Sequence, residues 1–429
     1  MIDRIIIYNY RSIGEDVGMF IGPLTALVGP NASGKSNVAD ALRFLAESAA
    51  GSLSQAVAVR GGFRSICRWG SAGPSFIRLG LAVSNARGDG FWMFSLVSTP
   101  DEDGFRIRRE EAVWSPTGSR GRNLEGLLLA LTELVDDSED EDWGIPSTNR
   151  KGPLGFTRRN GPPKASPGFG ALPRVNDTTL LLPLLGDTPL APLLADIRGI
   201  AIYNFSLSTL RAPQSPSPIK PMTPAGDNWA STLQAIDRST WGPWLIYVLN
   251  RITGDIDGYR VTEAGGLLIP EFRHGPGGPE GGERWLGAAQ ESDGTLRVAA
   301  ILTALFQEPG PSFIGFEEPE LSVHPGALPM LFDFLNEASG RSHILFTTHS
   351  PDLIDRVPDH QIRVVERRAG STTVALVGDG RRALVRKRLL ATAVASAPQG
   401  REREEAPKPA RRAEKGASAG RSKKVAKRK

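Results

Sequence analysis

A glycine-rich turn near the start of the chain limits what the sequence can fold into more than any other feature. The stretch L-V-G-P-N-A-S-G-K-S-N, residues 27–37, fits the pattern G-x-x-x-x-G-K-[ST] through Gly29, Gly34, Lys35 and Ser36. Small residues at this spacing let successive backbone N–H groups point at a phosphate. The pattern predicts that Lys35 reaches the β- and γ-phosphates of a nucleotide and that Ser36 binds Mg²⁺. A chance match in a glycine-rich chain is the alternative.

The sequence around the turn favours phosphate binding. An apolar run at residues 24–28 predicts a strand before it, and apolar residues at helical spacing over 36–50 predict a helix after it. The positive end of that helix would face the phosphates. The fold class expected is an α/β P-loop fold with an antiparallel β subdomain and a helical lobe. Other predicted strands are residues 4–10, 76–83, 91–97, 105–114, 313–316 and 344–347, a run near 200 and a hairpin over 259–272, with helices at 229–236 and 244–252.

Two carboxylates follow a short apolar strand in P-S-F-I-G-F-E-E-P-E-L. Glu317 and Glu318 come directly after residues 313–316. Loops at the carboxyl ends of parallel strands converge on the ligand crevice, so acids there can face a metal ion and an attacking water. We expect Glu317 to bind Mg²⁺ and Glu318 to act as general base. A strand that merely ends in solvated acids is the alternative.

A histidine lies just past the next predicted strand, in F-T-T-H-S-P-D. The neutral imidazole of His349 could hydrogen-bond a γ-phosphate oxygen there, although an ordinary core histidine is the alternative. His324, in S-V-H-P, has a weaker claim and is expected to be structural or to lie at a subunit contact.

A polar helix start occurs in Q-E-S-D-G-T-L-R. Residues 292–295 precede an apolar helical face, and a helix N-terminus of this kind can bind an anion. An ordinary helix cap is the alternative reading of S-D-G.

Charge and composition divide the chain. It carries 51 Lys and Arg against 47 Asp and Glu, yet residues 381–429 hold 17 Lys and Arg against 4 Glu. From residue 397 large apolar side chains are almost missing, which predicts a disordered tail. Either this tail contacts nucleic-acid phosphates or it only keeps the chain in solution.

A polar, Gly- and Pro-rich stretch at 136–174 predicts a solvated loop within an insertion over 121–195.

Several protein classes are disfavoured. Cys67 is the single cysteine, which excludes a disulfide framework and favours a reducing compartment. No run approaches the roughly 20 apolar residues of a membrane helix, and the N-terminus does not read as a signal peptide. We therefore expect a cytoplasmic protein with no membrane partner.

Five motifs stand in an order that resembles an ABC-type ATPase head of the RecF, SMC and OLD-like branch, and within it the stand-alone AAA-family ATPases. They are I-I-I-Y-N-Y-R-S-I, G-P-N-A-S-G-K-S-N, A-A-Q-E-S-D-G-T-L-R, F-E-E-P-E-L-S-V-H-P and T-T-H-S-P-D-L-I-D. The G-D-N-W-A at 226–230 is similar to a G-x-N-x-A landmark of those proteins. The resemblance implies two halves of one head, at residues 1–120 and 196–380.

The resemblance also implies roles by position. Glu317 would be the Walker B acid, Glu318 the catalytic glutamate and His349 the switch histidine, with Lys35 completing the catalytic set. Residues 292–295 would be a signature motif that contacts the γ-phosphate held by a second copy, and residues 320–322 would form the D-loop. Two ATP molecules would be sandwiched in a homodimer. The implied nucleotide-binding residues are Gly29, Pro30, Asn31, Ala32, Ser33, Gly34, Lys35, Ser36, Asn37, Ser292 and Gly294, and the implied Mg²⁺ ligands are Ser36 and Glu317.

Some positions depart from the family pattern. Glu291 stands where signature motifs often carry leucine. Glu317 replaces the aspartate common in transporter ATPases, although E-E-P-E is usual in the branch that this chain resembles. Gln55 is only a weak candidate for the glutamine lobe-coupling loop. No long heptad arm is present, and the residues after His349 do not resemble a Toprim nuclease.

The expected function is ATP hydrolysis that drives head dimerisation, linked to DNA maintenance or antiphage defence. The alternatives are an ATP-gated scaffold that hydrolyses slowly and regulates a separate effector nuclease, an ABC transporter ATPase subunit, and a simple nucleotide kinase. Besides a second copy of the chain, the expected partners are DNA and a separate effector protein.

Overall fold

The computed structural model of the chain describes residues 1–14, 17–68, 76–100, 104–117, 154–167, 169–275, 284–377 and 386–387. The tail predicted to be disordered from residue 397 lies outside the described residues, and so do positions 121–153 of the predicted insertion.

The first half of the chain supplies all seven described strands of an antiparallel sheet, the central strand before the glycine-rich turn and the helix after it. Its elements are β1 (Ile2–Tyr8), β2 (Val17–Phe20), β3 (Leu24–Val28), α1 (Lys35–Ala50), α2 (Leu53–Ala58), α3 (Phe63–Ile66), β4 (Phe76–Asn85), β5 (Gly88–Ser98), β6 (Phe105–Pro116), β7 (Leu154–Arg159), β8 (Lys164–Ala165) and α4 (Ala191–Arg198).

The second half supplies the remaining central strands and the helices that cover them. Its elements are β9 (Ile200–Tyr203), α5 (Leu207–Arg211), α6 (Trp229–Asp237), α7 (Gly242–Thr253), β10 (Ile256–Ala264), β11 (Leu267–His274), β12 (Arg284–Gly287), α8 (Asp293–Phe306), β13 (Phe313–Glu317), α9 (Leu328–Ala338), β14 (His343–Thr348), α10 (Pro351–Ile354), β15 (Ile362–Arg368) and β16 (Ser371–Leu376).

The central sheet has the strand order β16-β15-β3-β14-β13-β9. Five of these strands run parallel, and only the edge strand β16 is antiparallel to its neighbour. Parallel strands are covered on both faces, which explains why L-T-A-L-V in β3 is buried at every position. The carboxyl ends of β3, β13 and β14 therefore meet at one edge, and each predicted phosphate or catalytic segment follows one of these ends.

A second sheet is antiparallel, in the order β2-β1-β4-β5-β6-β7-β8. Helix α1 lies in the core between the two sheets, where its Leu42 and Leu45 share one apolar cluster with Leu27 of β3 and Phe94 of β5. Successive side chains of a strand point to opposite faces, so Leu24 and its alternate neighbours pack on the other side of the central sheet.

A helical lobe covers that other side. Helices α6, α7, α8 and α9 pack there in a second apolar cluster that contains Trp229, Leu249, Ile301 and Leu335. A three-stranded antiparallel sheet, β10-β11-β12, joins this lobe, and its hairpin turns at Gly265 and Gly266 as predicted. The expected fold class is confirmed.

The prediction of a solvated loop over residues 136–174 is wrong at residues 154–159, which form β7, although residues 170–174 do lie in a loop and are mostly exposed. Strand β7 pairs with β6 in register from Trp114 opposite Leu154, and Phe156 is fully buried in the core between the sheets. The sequence signal was weak because only six residues separate K-G-P from N-G-P-P, and their strand partner lies about forty positions earlier.

Candidate functional site

Two glycines give the predicted phosphate loop its shape. Gly34 caps α1 in the left-handed region at φ 108, where an added Cβ would also collide with the Thr372 hydroxyl. A Cβ at Gly29 would collide with the carbonyl oxygen of Val365. Since glycine has no side chain to cap a helix, the amides of Lys35 and Ser36 at the start of α1 stay available to an anion, whereas those of Asn37 and Val38 donate to the Gly34 carbonyl.

Hydrogen bonds between polar side chains hold this loop to strand β16 and to the segment after β1. The Thr372 hydroxyl of β16 donates to the carbonyl oxygen of Ser33 at 2.8 Å and lies 2.8 Å from the Ser12 hydroxyl. Asn37 Nδ2 in turn donates to Ser12 Oγ at 2.5 Å. Asn37 was predicted as a nucleotide contact, and in this chain it fixes the loop to the residues after β1.

Lys35 is nearly buried, with 5 % of its surface exposed. Its Nζ donates to the carbonyl oxygens of Gly29 at 2.8 Å and Pro30 at 3.1 Å, which folds the lysine over the loop. Burial lowers the pKa of the Lys35 amine, while the charges of Glu318 and Glu320 act in the opposite direction. The Lys35 ammonium group therefore interacts electrostatically with the carboxylates of Glu318 and Glu320.

The loop forms one wall of an open cavity of ≈ 480 Å³, within the size range of small-ligand sites. Glu318 lines it from the end of β13, and Arg367, which the sequence reasoning missed, lines it from β15. The full lining is Ser12, Asn31, Ala32, Ser33, Gly34, Lys35, Ser36, Asn37, Glu318 and Arg367. Eight predicted site residues thus share one cavity.

Glu318 has a constrained backbone. Its φ of 47 is unusual for a residue with a side chain, and its amide donates to both the carbonyl oxygen and the hydroxyl of Thr347 at 3.1 Å. His349 Nδ1 lies 3.2 Å from Glu318 Oε1. The predicted general base and the predicted switch histidine therefore touch.

Glu320, two residues further on, is buried and ties the same segment to β14. Its Oε1 accepts from the Thr348 hydroxyl at 2.5 Å and from the His349 amide at 3.4 Å. Burial raises the pKa of this carboxyl, although the Thr348 hydrogen bond opposes the shift. Glu320 therefore fixes the backbone at Thr348 and His349.

Glu317 does not line the cavity; its Oε1 accepts a hydrogen bond from Arg43 Nη2 at 3.1 Å. The donors present nevertheless fit a magnesium ion shared with nucleotide phosphates, because Ser36 and Glu317 offer the hard oxygen ligands that Mg²⁺ takes. Among the described residues, no group of three or more His, Cys, Asp or Glu side chains could hold a metal ion alone.

The predicted signature residues lie outside this cavity. Ser292 caps α8, and its hydroxyl accepts from the Thr295 amide at 3.1 Å. Gly294 lies against the backbone of Ser322, where a Cβ would collide with the carbonyl oxygen. The predicted signature start and the predicted D-loop of one chain are therefore in contact, but Ser292 does not line the cavity of the Lys35 loop.

Glu291 has partners that explain its departure from the family leucine. Its buried carboxylate lies 2.7 Å from His274 Nε2, and the other ring nitrogen of His274 lies 2.9 Å from Asp255. Arg211 donates to the Glu291 carbonyl at 2.9 Å and pairs with Asp293 at 2.7 Å. These contacts fix the residues just before and after Ser292.

The other sequence candidates lie elsewhere. Gln55 is exposed on α2 and does not line the cavity. His324 accepts from the Gly326 amide at 3.1 Å, a capping contact consistent with a structural role. Asn228, in G-D-N-W-A, is buried and holds the proline-rich loop before it through the Thr223 amide and the Ile219 carbonyl.

A family model described as "AAA domain, putative AbiEii toxin, Type IV TA system" matches residues 24–161 and 250–355. The chain belongs to this AAA-domain family. The matched segments contain the phosphate loop, the helix start at Ser292, both carboxylates of the β13 end and His349. They agree with the resemblance to ATPase heads and with an ATP-binding ATPase domain in general.

Three of the solved structures that are similar to this chain are SMC heads. One is an SMC head bound to the C-terminal winged-helix domain of ScpA, with 13 % identity, 89 % of this chain and 99 % of that chain covered, and a TM-score of 0.49. The SMC head domain from Thermotoga maritima has 13 % identity, coverages of 88 % and 99 %, and a TM-score of 0.42. An SMC head from Pyrococcus furiosus with an extended coiled coil, bound to the C-terminal domain of ScpA, has 12 % identity, coverages of 91 % and 99 %, and a TM-score of 0.45.

No curated protein matches the chain. Within the ranges that the structure describes, no helix is long and apolar enough to cross a membrane.

The His274 contacts of the AAA domain predict a pH-dependent contribution to stability. Burial lowers the pKa of His274, but the hydrogen bonds and charges of Glu291 and Asp255 outweigh it, so the pKa lies above its usual 6.5. The folded state then holds the proton more tightly than the unfolded state. The stabilisation should be complete below about pH 6.5 and lost as the pH rises through the raised pKa.

We expect His274→Gln to lower the free energy of unfolding more at about pH 6 than at about pH 9, as measured by urea denaturation. His360→Gln, at an exposed position, is the control. An equal loss at both pH values would contradict a protonated His274 between the two carboxylates.

Proposed function

We propose that this AAA domain binds ATP together with Mg²⁺ and hydrolyses it. The observation that carries the proposal is the cavity in which Glu318, held by His349, faces the loop that carries Lys35. A phosphate loop alone would support only nucleotide binding. A carboxylate on the opposite wall, on a constrained backbone, adds a group that can take a proton from water.

The chemistry would rest on positioning and charge. The amides at the start of α1 and the Lys35 ammonium would hold the β- and γ-phosphates. Glu318 would orient the attacking water and accept its proton, while His349 keeps the carboxylate in place. Mg²⁺, held by Ser36 and Glu317, would neutralise charge on the phosphates.

The first test replaces the proposed base. Glu318→Gln keeps the shape of the side chain but removes its basicity, so single-turnover phosphate release should fall by about 10²-fold or more while ATP affinity stays within a few-fold. Glu263→Gln, at an exposed position of β10, is the matched control. Unchanged turnover in Glu318→Gln would exclude Glu318 as the base.

We further propose that a complete site needs two copies of the chain. Ser292 and Gly294 begin α8 outside the cavity of their own chain, and the family resemblance implies that they contact a γ-phosphate held by another copy. Two ATP molecules would then close a symmetric homodimer, and hydrolysis would reopen it.

A mixing experiment tests this composite site. Lys35→Ala and Ser292→Arg should each abolish turnover, because each spoils both sites of its own homodimer. Mixed in equal amounts, they should recover about a quarter of wild-type activity, since half the dimers would be mixed and would keep one intact site. No recovery, with mixed dimers verified by mass, would contradict a site shared between copies.

We propose that closure of the homodimer serves a DNA-linked process, either DNA maintenance or antiphage defence. Support comes from the basic composition of residues 381–429. DNA should stimulate the ATPase at low salt, and a chain ending at Ser396 should lose that stimulation while keeping its basal rate. Stimulation that persists in the shortened chain would assign DNA binding to another region, and its absence in the full chain would favour an ATP-gated scaffold for a separate effector.

A further inference from the structure

An ion pair behind the cavity connects helix α1 to the proposed Walker B acid. Arg43 lies eight residues after Lys35, two turns along α1. Its Nη2 donates to Glu317 Oε1 at 3.1 Å and to the carbonyl oxygen of Ile202, at the end of β9, at 3.4 Å. One guanidinium therefore spans the ends of two neighbouring strands and fixes a carboxylate on one of them.

The arginine is itself held from behind. Asp40, one turn earlier on α1, lies 3.7 Å from Arg43 Nη1. Asp40 also accepts from the Tyr10 hydroxyl at 2.6 Å and from Arg60 Nε at 3.2 Å, and it pairs with Arg11 at 2.9 Å. Because Asp40 is surrounded by these donors, its carboxylate is a fixed counter-charge, and the Arg43 fork is preorganised to meet Glu317.

The carboxylate that Arg43 meets is mostly shielded. The side chain of Glu317 is 11 % exposed, and Arg43 is the hydrogen-bond partner that the described residues give it. A carboxylate so poorly solvated needs a partner to stay charged and ordered. Arg43 engages only Oε1, which leaves Oε2 to act as a ligand.

We propose that Arg43 is a positioning residue that orients Glu317 so that its second oxygen can ligate the Mg²⁺ bound with ATP. This inference rests on the proposed ATP site. Arg43 acts on the metal through Glu317, in the way that second partners of metal-bound carboxylates do elsewhere, where their loss lowers metal affinity by about 10–100-fold.

The test separates metal binding from nucleotide binding and from turnover. Mn²⁺ replaces Mg²⁺, and its binding to the ATP-loaded Glu318→Gln chain is followed by electron paramagnetic resonance, while a fluorescent ATP analogue in EDTA reports nucleotide affinity without metal. Adding Arg43→Gln should raise the Mn²⁺ concentration for half-saturation by about 10-fold or more, with the EDTA affinity unchanged within about 2-fold. Arg43→Lys should lie between, because an ammonium keeps the charge that meets Glu317 but has no second nitrogen to face Asp40 at the same time.

A double-mutant cycle excludes a merely structural role. If Arg43 acts through Glu317, Arg43→Gln should weaken Mn²⁺ binding no further in a Glu317→Gln background. Arg251→Gln, at an exposed position of α7, is the control for loss of a surface arginine, and thermal unfolding verifies that each variant is folded. Should Arg43→Gln not fold, Arg43→Lys and its cycle with Glu317→Gln decide the question.

Each outcome bears on the proposal. Unchanged Mn²⁺ affinity, tighter Mn²⁺ binding, or additive losses in the cycle would overturn the role of Arg43 while leaving the ATP site intact. A wild-type chain that binds no nucleotide even in the presence of metal would overturn the proposed function, and this inference with it.

Discussion

The hydrogen bond from the Thr372 hydroxyl to the Ser33 carbonyl is the contact on which the candidate site most depends. It joins the phosphate loop to a strand more than three hundred residues later, and through Ser12 it also reaches the segment after β1. A loop of small residues has little to fix its own conformation. Its shape therefore depends on long-range packing, because the segment after β1 and strand β16 must both reach the loop to fix it.

The parallel order of the central sheet then determines which side chains share the site. Strands β3, β13 and β14 are neighbours, although residues 24, 313 and 343 that begin them are far apart in sequence. Their carboxyl ends bring Lys35, Glu318 and His349 to one edge without any local sequence signal for that proximity. The left-handed backbone of Glu318 is tolerated because two hydrogen bonds to Thr347 hold its amide.

The parts of the fold that depend on local interactions could be predicted from the sequence, and those that depend on long-range packing could not. The strand, turn and helix around Gly34 depend on local pattern, so the sequence predicted β3 and α1 to within a residue. Strand β7 was missed because its stability comes from pairing with β6 and from burying Phe156, not from its own six residues.

The same distinction applies to individual side chains. Motif spacing predicts a role for Glu317. Nothing in the spacing indicates that Arg43 contacts it, because that contact needs the packing of α1 on β9 and β13. Arg367 and Thr372 could be found only from the pairing of β15 with β3 and β16. The sequence shows that Glu291 stands in place of the usual leucine. It does not show the contact that accounts for this glutamate, because the His274 ring lies on a strand seventeen residues earlier.

A path of contacts inside one chain connects the predicted signature residues to the proposed catalytic residues. Gly294 abuts the Ser322 backbone, and the segment 320–322 also contains Glu320, which accepts hydrogen bonds from the Thr348 hydroxyl and the His349 amide. His349 touches Glu318. If a second copy places its nucleotide on Ser292, a displacement of α8 would be transmitted by steric contact at Gly294, because no side chain there can absorb it. The smallness of residue 294 would then serve to couple the two sites in addition to admitting a phosphate of the other copy, and the coupling is a reason for glycine that does not apply at Gly34.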